Sequence, residues 1–378
     1  MSARQGDLIA IVVLFVAVNA ALLAYHGVRE GGDSPLYVDG GARLLDGRPL
    51  VDRQPSYVGY IYVVAATQAL QIGALGLVMF QIVAGAIAAI AVYAIAASMA
   101  GATAGRIAAV LFSIDADTNR WNQFILADSL YVSLFVIAVW LVYRAAIQRS
   151  ANAVIGSAVV LFVAALVRPE GWFLLPAAVC YLVAMRTRST AQRLYWGIAL
   201  CIAAGVFVAV LAPALGGNVN AVGPADMLMR GQTIWDFDGW RVTMPPSGVV
   251  ADGQAGTAVA YALQHPFSTA WLMIARVMVH FAHVRPFYST PHNLAIVVWL
   301  IPVYVAAVVA IRNLGFTALV SWLAIAIATQ TLVVALTHAE WDGRYLAHVM
   351  PLIDTLVGAG VALTIAPRQS GALQPAHG

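Results

Sequence analysis

The sequence predicts an all-α polytopic membrane protein of about ten transmembrane helices, with further helices lying in external loops. Three observations carry this. Hydrophobic residues make up 62% of the chain and charged residues only 10%, against roughly 25% charged in an average soluble domain. Mean hydropathy is +0.84. The apolar residues also fall into separate runs of membrane-spanning length. A soluble enzyme is excluded, and so are disordered and fibrous classes. Nucleic acid is excluded as a partner, because a net charge of +3 comes with no basic stripe. Cys180 and Cys201 both lie inside apolar runs, so they read as core thiols rather than a disulfide or metal framework. Every basic residue is Arg and none is Lys, a usage that points to a GC-rich, bacterial genome.

The runs of spanning length are 8–27, 74–98, 103–119, 125–147, 151–167, 171–185, 194–213, 294–311, 316–336 and 346–366. Each approaches the ~20 residues needed to cross ~30 Å of hydrocarbon. The first is too long for a signal peptide, and no small-residue cleavage site follows it. Two more apolar stretches, 57–72 and 266–283, are left over. With ten crossings and a cytoplasmic N-terminus, Arg4, Arg106, Arg144, Arg149, Arg186, Arg188, Arg193, Arg312 and Arg368 fall inside with a single acid, Asp7. Counting 57–72 as a crossing would put most of these Arg outside, against the positive-inside rule. Both leftovers are therefore expected to be interfacial or re-entrant helices on the outer face. The chain reads as one membrane-embedded domain, 1–378, with a first external loop at 28–73 and a large one at 214–293. It is placed in the plasma (inner) membrane with both termini cytoplasmic and its chemistry outside.

Several polar residues at the outer boundary are candidates for function, since ionisable groups at membrane depth are costly. Asp33 stands where it would cap a short helix opening Ser34-Pro35-Leu36-Tyr37. Asp115, Asp117 and Asp128 put three carboxylates within fourteen residues, a candidate site for a divalent cation such as Mg or Mn. Arg168 and Glu170 sit at the junction of two spans, where they can pair or cap helix ends. Arg276, Arg285 and Arg344 lie in aromatic surroundings, placed for a lipid phosphate. His280, His283 and His292 are weaker candidates for acid–base work.

The order of these pieces resembles the GT-C class of integral membrane glycosyltransferases, particularly its protein-mannosyltransferase-like and aminoarabinose-transferase-like branch. The resemblance spans most of the chain. It rests on Asp33-Ser-Pro-Leu-Tyr37 closing with Ala42-Arg-Leu-Leu-Asp-Gly47, then Pro55-Ser-Tyr57-Val-Gly-Tyr60-Ile-Tyr62. Asn122-Gln-Phe-Ile-Leu-Ala-Asp128, Arg168-Pro-Glu-Gly171 and Arg344-Tyr-Leu-Ala-His-Val-Met-Pro351 follow in order. The first loop departs from the family pattern in carrying Asp33-Ser34 where two acids are usual.

The resemblance implies a GT-C-like fold and a mannosyltransferase-like enzyme of the cell envelope. Such an enzyme moves a sugar from a polyprenyl-phosphate carrier to a hydroxyl of a glycan, glycolipid or protein outside the membrane, with inversion. It makes Asp33 the general base and Asp128 a second catalytic carboxylate. Asp115 and Asp117 would orient the acceptor or hold a metal. Tyr37, Arg168, Glu170, Arg285, Arg344 and Tyr345 would bind substrate, Arg285 and Arg344 at the phosphate. The segment 216–264, with Trp235 and Trp240, would form a lid. A transporter or lipid flippase, or a non-catalytic scaffold subunit, are the alternative readings.

Overall fold

The computed structural model describes residues 3–187, 224–235, 237–248, 251 and 253–365. The expected span at 194–213 and Cys201 lie outside them. The described chain is a helical bundle built from α1 (Ala3–His26), α2 (Ser34–Leu45), α3 (Val58–Ala69), α4 (Gly73–Ile114), α5 (Ala116–Asn119), α6 (Ala127–Gln148), α7 (Ala151–Val167) and α8 (Gly171–Arg186). After the undescribed stretch come α9 (Pro224–Met229), β1 (Gln232–Ile234), β2 (Phe237–Arg241), α10 (Gly253–Gln264), α11 (Pro266–Ala282), α12 (Thr290–Leu314), α13 (Ala318–Leu336) and α14 (Arg344–Ile365).

Six of these helices, α1, α4, α6, α12, α13 and α14, are long and apolar enough to cross a membrane, while α7 and α8 are apolar but shorter. The 42 residues of α4 are two helices, because Ala100 and Gly101 leave helical geometry, Gly101 at φ +82°. The second half folds back so closely that a Cβ at Gly105 would meet the Tyr93 ring at 2.8 Å. The two expected spans at 74–98 and 103–119 are thus present, except that the second stops at Ile114. There Asp115 turns extended, and its carboxylate accepts from the Asp117 and Thr118 amides to start α5.

The innermost helix is α14, with 89% of its apolar window buried. It packs most extensively on α4, then α12. Gly358 permits this: a Cβ there would meet the Ala104 carbonyl at 2.4 Å, the close approach that small residues give membrane helices.

The two leftover stretches are helices unlike the spans. At 12 residues α3 reaches roughly 18 Å, too short for a bilayer. In α11 the exposed face is Phe267, Trp271, Ile274 and Met278, whereas Leu272, Arg276 and His280 are buried. An outward apolar stripe over a polar inner face suits a helix lying in a membrane interface. One element runs against the all-α expectation. Residues 232–241 form a two-stranded antiparallel hairpin, and Trp235 N donates to the Ala339 carbonyl and Ala339 N to that of Thr233. Arg276 fastens it from below, donating to the carbonyls of Gln232, Ala335, Leu336 and Met227.

One end of the bundle gathers Asp7, which accepts from Tyr93 Oη at 3.1 Å and Arg106 Nε at 2.9 Å. The other end holds a buried amide network. Asn122 Nδ2 donates to Asn19 Oδ1 at 2.7 Å, Asn19 Nδ2 to Asn119 Oδ1 at 3.3 Å, and Asn119 Nδ2 to the Phe112 carbonyl at 2.6 Å. Gln81 Nε2 donates to the Asn122 carbonyl at 2.9 Å while its Oε1 accepts from Tyr60 Oη at 2.9 Å. Polar groups this deep persist because they satisfy one another.

Candidate active site

At the amide-network end, three separate pieces of chain converge. Arg29 N donates to the Gln123 carbonyl and Ile125 N to the Arg29 carbonyl, both at 2.9 Å, so the first loop lies on the α5–α6 connection. Asp33 then sits at the N-cap position of α2, yet its side chain makes no capping bond. Its carboxylate faces cations instead. Arg53 Nη2 donates to Oδ1 at 3.2 Å and Arg344 Nη1 to Oδ2 at 3.1 Å. The Asp33 side chain keeps 20% exposure, while the Arg344 side chain keeps 16%, so the pair lies at the rim of the buried cluster.

Behind it the cluster is dry. Asp128, in the first turn of α6, forms a close ion pair with Arg168, and His348 Nε2 stands 3.2 Å from Asp128 Oδ1. Arg168 also grips Glu170 in bidentate fashion, Nη2 to Oε1 at 2.7 Å and Nε to Oε2 at 3.1 Å. Burial would push the Glu170 carboxyl up, but the Arg168 guanidinium outweighs it and holds the group below the usual range. Both guanidiniums lie over the Tyr345 ring, Arg168 at 5.5 Å and Arg344 at 5.9 Å from its centroid. Tyr37 is buried against Tyr57 and Tyr60, ring centroids 5.3 and 4.9 Å away. Burial holds its phenol well above the ordinary value.

Two carboxylates outside the sequence expectations, as Arg53 and His348 also are, complete the cluster. Glu340 is 2% exposed, with Oε1 at 3.4 Å from Arg344 Nη2. Burial pushes its carboxyl up to about 7 against the pull of Arg344. Asp342 accepts from the Arg344 amide at 3.2 Å; burial raises its carboxyl too. Five carboxylates (Asp33, Asp128, Glu170, Glu340, Asp342) therefore face three guanidiniums (Arg53, Arg168, Arg344).

Other expected site residues stand elsewhere. The Arg285 guanidinium donates to the carbonyls of Val279, Val284 and Glu340 at 2.8–3.0 Å rather than to a carboxylate of the cluster. It closes the C-terminal end of α11, which replaces the expected phosphate contact. Asp115 and Asp117 do not form a cation cage. Asp115 spends its oxygens on Thr118 and two amides, and Asp117 pairs with Arg120 at 3.7 Å. No group of three or more His, Cys, Asp or Glu among the described residues could hold a metal ion. His283 and His292, with Asp115 and Asp117, line a cavity of about 320 Å³ walled by Trp299 and Leu346. It runs along the face of α14 opposite to Arg344 and His348. Of the expected lid, Trp235 lies tilted against His338 with centroids 4.8 Å apart, and Trp240 is exposed.

Residues 56–212 match the family model of dolichyl-phosphate-mannose-protein mannosyltransferases. This match supports a membrane glycosyltransferase of the GT-C type, mannosyltransferase-like. It bears out the resemblance of the motifs, and the matched stretch contains Tyr57, Tyr60, Asp128, Arg168 and Glu170 of the cluster. Asp33 and Arg344 lie outside it and join the matched part through the contacts above. No curated protein matches the chain.

Proposed function

We propose that the protein transfers a sugar from a polyprenyl-phosphate carrier to an acceptor hydroxyl, with inversion, at the Asp33–Arg344 rim. One observation carries the reading: a partly exposed carboxylate and a guanidinium from opposite ends of the chain face each other at 3.1 Å on the edge of a buried ionic cluster. The acceptor oxygen attacks the anomeric carbon as its proton passes to the Asp33 carboxylate. The bond from that carbon to the phosphate oxygen breaks, and its electron pair stays with the phosphate. Fixed cations at that oxygen stabilise it most as the charge develops, by ~3 kcal/mol for a well-placed donor. Arg344 is the group for this role, with Arg53 beside it. A phosphate on Arg344 also takes one guanidinium from Asp33, leaving its Oδ2 open toward the acceptor.

Asp128 acts through Arg168 and His348, fixing the wall behind the reacting atoms; half-buried Tyr345 supplies an aromatic face for the sugar, and Tyr37, buried against Tyr57 and Tyr60, braces that wall. Sidedness follows from the two bundle ends. Asp7, Arg106, Arg149 and Arg186 belong to the end opposite the cluster, which by the positive-inside rule supports a reading with the termini in the cytoplasm and the reaction outside a bacterial plasma membrane.

The test combines a panel of polyprenyl-phosphate sugars with release of the bare carrier, read by mass spectrometry. Asp33→Asn should abolish transfer while the protein inserts and purifies as before. Full activity in that variant overturns the assignment of the base, and carrier release from no donor overturns the reaction.

A further inference from the structure

Glu340 has no role in the chemistry just described, yet its carboxylate faces Arg344 from the side opposite to Asp33. Arg344 Nη1 meets Asp33 and Nη2 meets Glu340. Glu340 Oε1 and Arg344 Nε are both buried without a hydrogen-bond partner among the described residues. The segment is held rigidly: the Glu340 carbonyl accepts from Arg285 Nη2 at 2.8 Å and its neighbour Ala339 is bonded to Thr233 and Trp235. Its carboxyl is therefore delivered to the guanidinium by backbone on both sides.

The charge balance makes this arrangement consequential. Five carboxylates crowd this site, so an arriving phosphate brings a further anion beside them. Bringing a further negative charge beside a buried carboxylate disfavours its charged form. Glu340 is the group placed to yield. Its side chain is 1% exposed, against 20% for Asp33 and 20% for Asp342. Asp128 and Glu170 are each held by Arg168. The other titratable and charged groups facing this region are Tyr345 and His348 from α14, His338 from the same loop, Arg168 across the cluster, Arg285 after α11 and Arg120 beside Asp342.

We propose that Glu340 is a proton-linked ligand of the phosphate site: it takes up one proton from solvent when a phosphodiester settles on Arg344, and its acid O–H then donates to that phosphate. The inference rests on the reading of Arg344 as the phosphate-binding residue. A carboxyl kept neutral to act as a hydrogen-bond donor is an established use of burial. With its carboxyl at about 7 in the free protein, Glu340 already carries the proton below that pH and must acquire it above. Affinity for the anion should accordingly be flat below pH 7 and fall above it by up to about tenfold per pH unit.

The experiment is isothermal titration of the full-length protein with a polyprenyl methyl phosphate, a diester of fixed single charge that carries no sugar. Heats are measured from pH 6 to 9 in buffers of different ionisation enthalpy. Wild type should take up nearly one proton at pH 8. Glu340→Gln, which is neutral and keeps an N–H donor, should bind with an affinity that no longer depends on pH and without proton uptake. Asp342→Asn should retain the uptake. A pH-independent wild type, or a Glu340→Gln variant that keeps the slope, overturns the proposal while leaving the phosphate site standing. A wild type that does not bind the diester at any pH overturns both.

Discussion

The Ser34 hydroxyl, beside Asp33, donates to the Ile125 carbonyl at 2.8 Å and accepts from the Gly31 amide at 2.7 Å. Ser34 is fully buried, so the first loop is pinned to the base of α6 one residue from the proposed base. This explains why a serine can stand where the family pattern has a second acid. A carboxylate could accept from Gly31 but has no proton to give Ile125.

Ser34→Ala should therefore uncouple position from charge. It leaves the Gly31 amide and the Ile125 carbonyl unpaired at a cost of about 1–3 kcal/mol and lets Asp33 drift. We expect a lowered thermal midpoint in detergent and a fall in turnover, with Ser34→Thr closer to wild type in both.

The Arg168 guanidinium is bound by Asp128 and Glu170 and nearly inaccessible. Removing one member of a buried ion pair leaves uncompensated charge and costs about 3–5 kcal/mol. Arg168→Met should be destabilised by that order in unfolding assays. Adding Asp128→Asn should recover part of the stability without recovering transfer. Equal stability of Arg168→Met and wild type would contradict the cluster.

Gly343 sits at φ +78°, and a Cβ there would meet the His283 ring at 1.7 Å. Gly343→Ala must displace either the ring or Arg344, so transfer should drop at least about tenfold, about 1.4 kcal/mol in the barrier. Gly47→Ala, at φ +67° with open space around it, should cost only the ~1–2 kcal/mol of left-handed backbone and leave turnover near wild type. The double variant Gly343→Ala with His283→Ala should regain activity if steric contact is the cause.

His283 and His338 are both pushed down to about 4, in each case chiefly by burial. The unfolded chain, with imidazoles near 6.5, binds protons through this range while the folded protein does not. Stability should fall as pH drops from about 6.5 toward 4. Replacing either residue with Gln should flatten that limb of a stability–pH curve, and an unchanged curve in both variants would refute the assignment.

Much of the architecture was legible because hydropathy reports a property of whole segments. The runs at 8–27, 125–147, 151–167, 171–185, 294–311, 316–336 and 346–366 all coincide with helices, and the turn between 98 and 103 falls at Ala100–Gly101. The individual motifs around Asp33, Asp128, Arg168 and Arg344 were also visible. Their pairing was not, since Asp33 and Arg344 are 311 positions apart and no local pattern encodes such a contact.

Glu340 and His348 were missed: His348 lies one turn from Arg344 on α14, a spacing that a helical reading could have used, while Glu340 lies in the loop before the helix, where no periodicity points to it. Arg285, expected at a phosphate, stands on backbone carbonyls in the structure. An arginine in aromatic surroundings looks like a phosphate ligand, but the carbonyls left open at the end of α11 are an equally good anion-like target. The hairpin at 232–241 is too short for alternation to announce, and its register is set by residues 339 and 276 rather than by its own sequence.

The carboxamides of Asn19, Asn119, Asn122 and Gln81 bind α1, α4 and the start of α6 through donors and acceptors that match in only one alignment. Sliding the first helix along its axis by a single residue would strand several of them in a medium with no water to replace the loss. A bilayer thinner or thicker than that alignment prefers must then bend its own lipids to meet the helix, because the helix has no second position to offer.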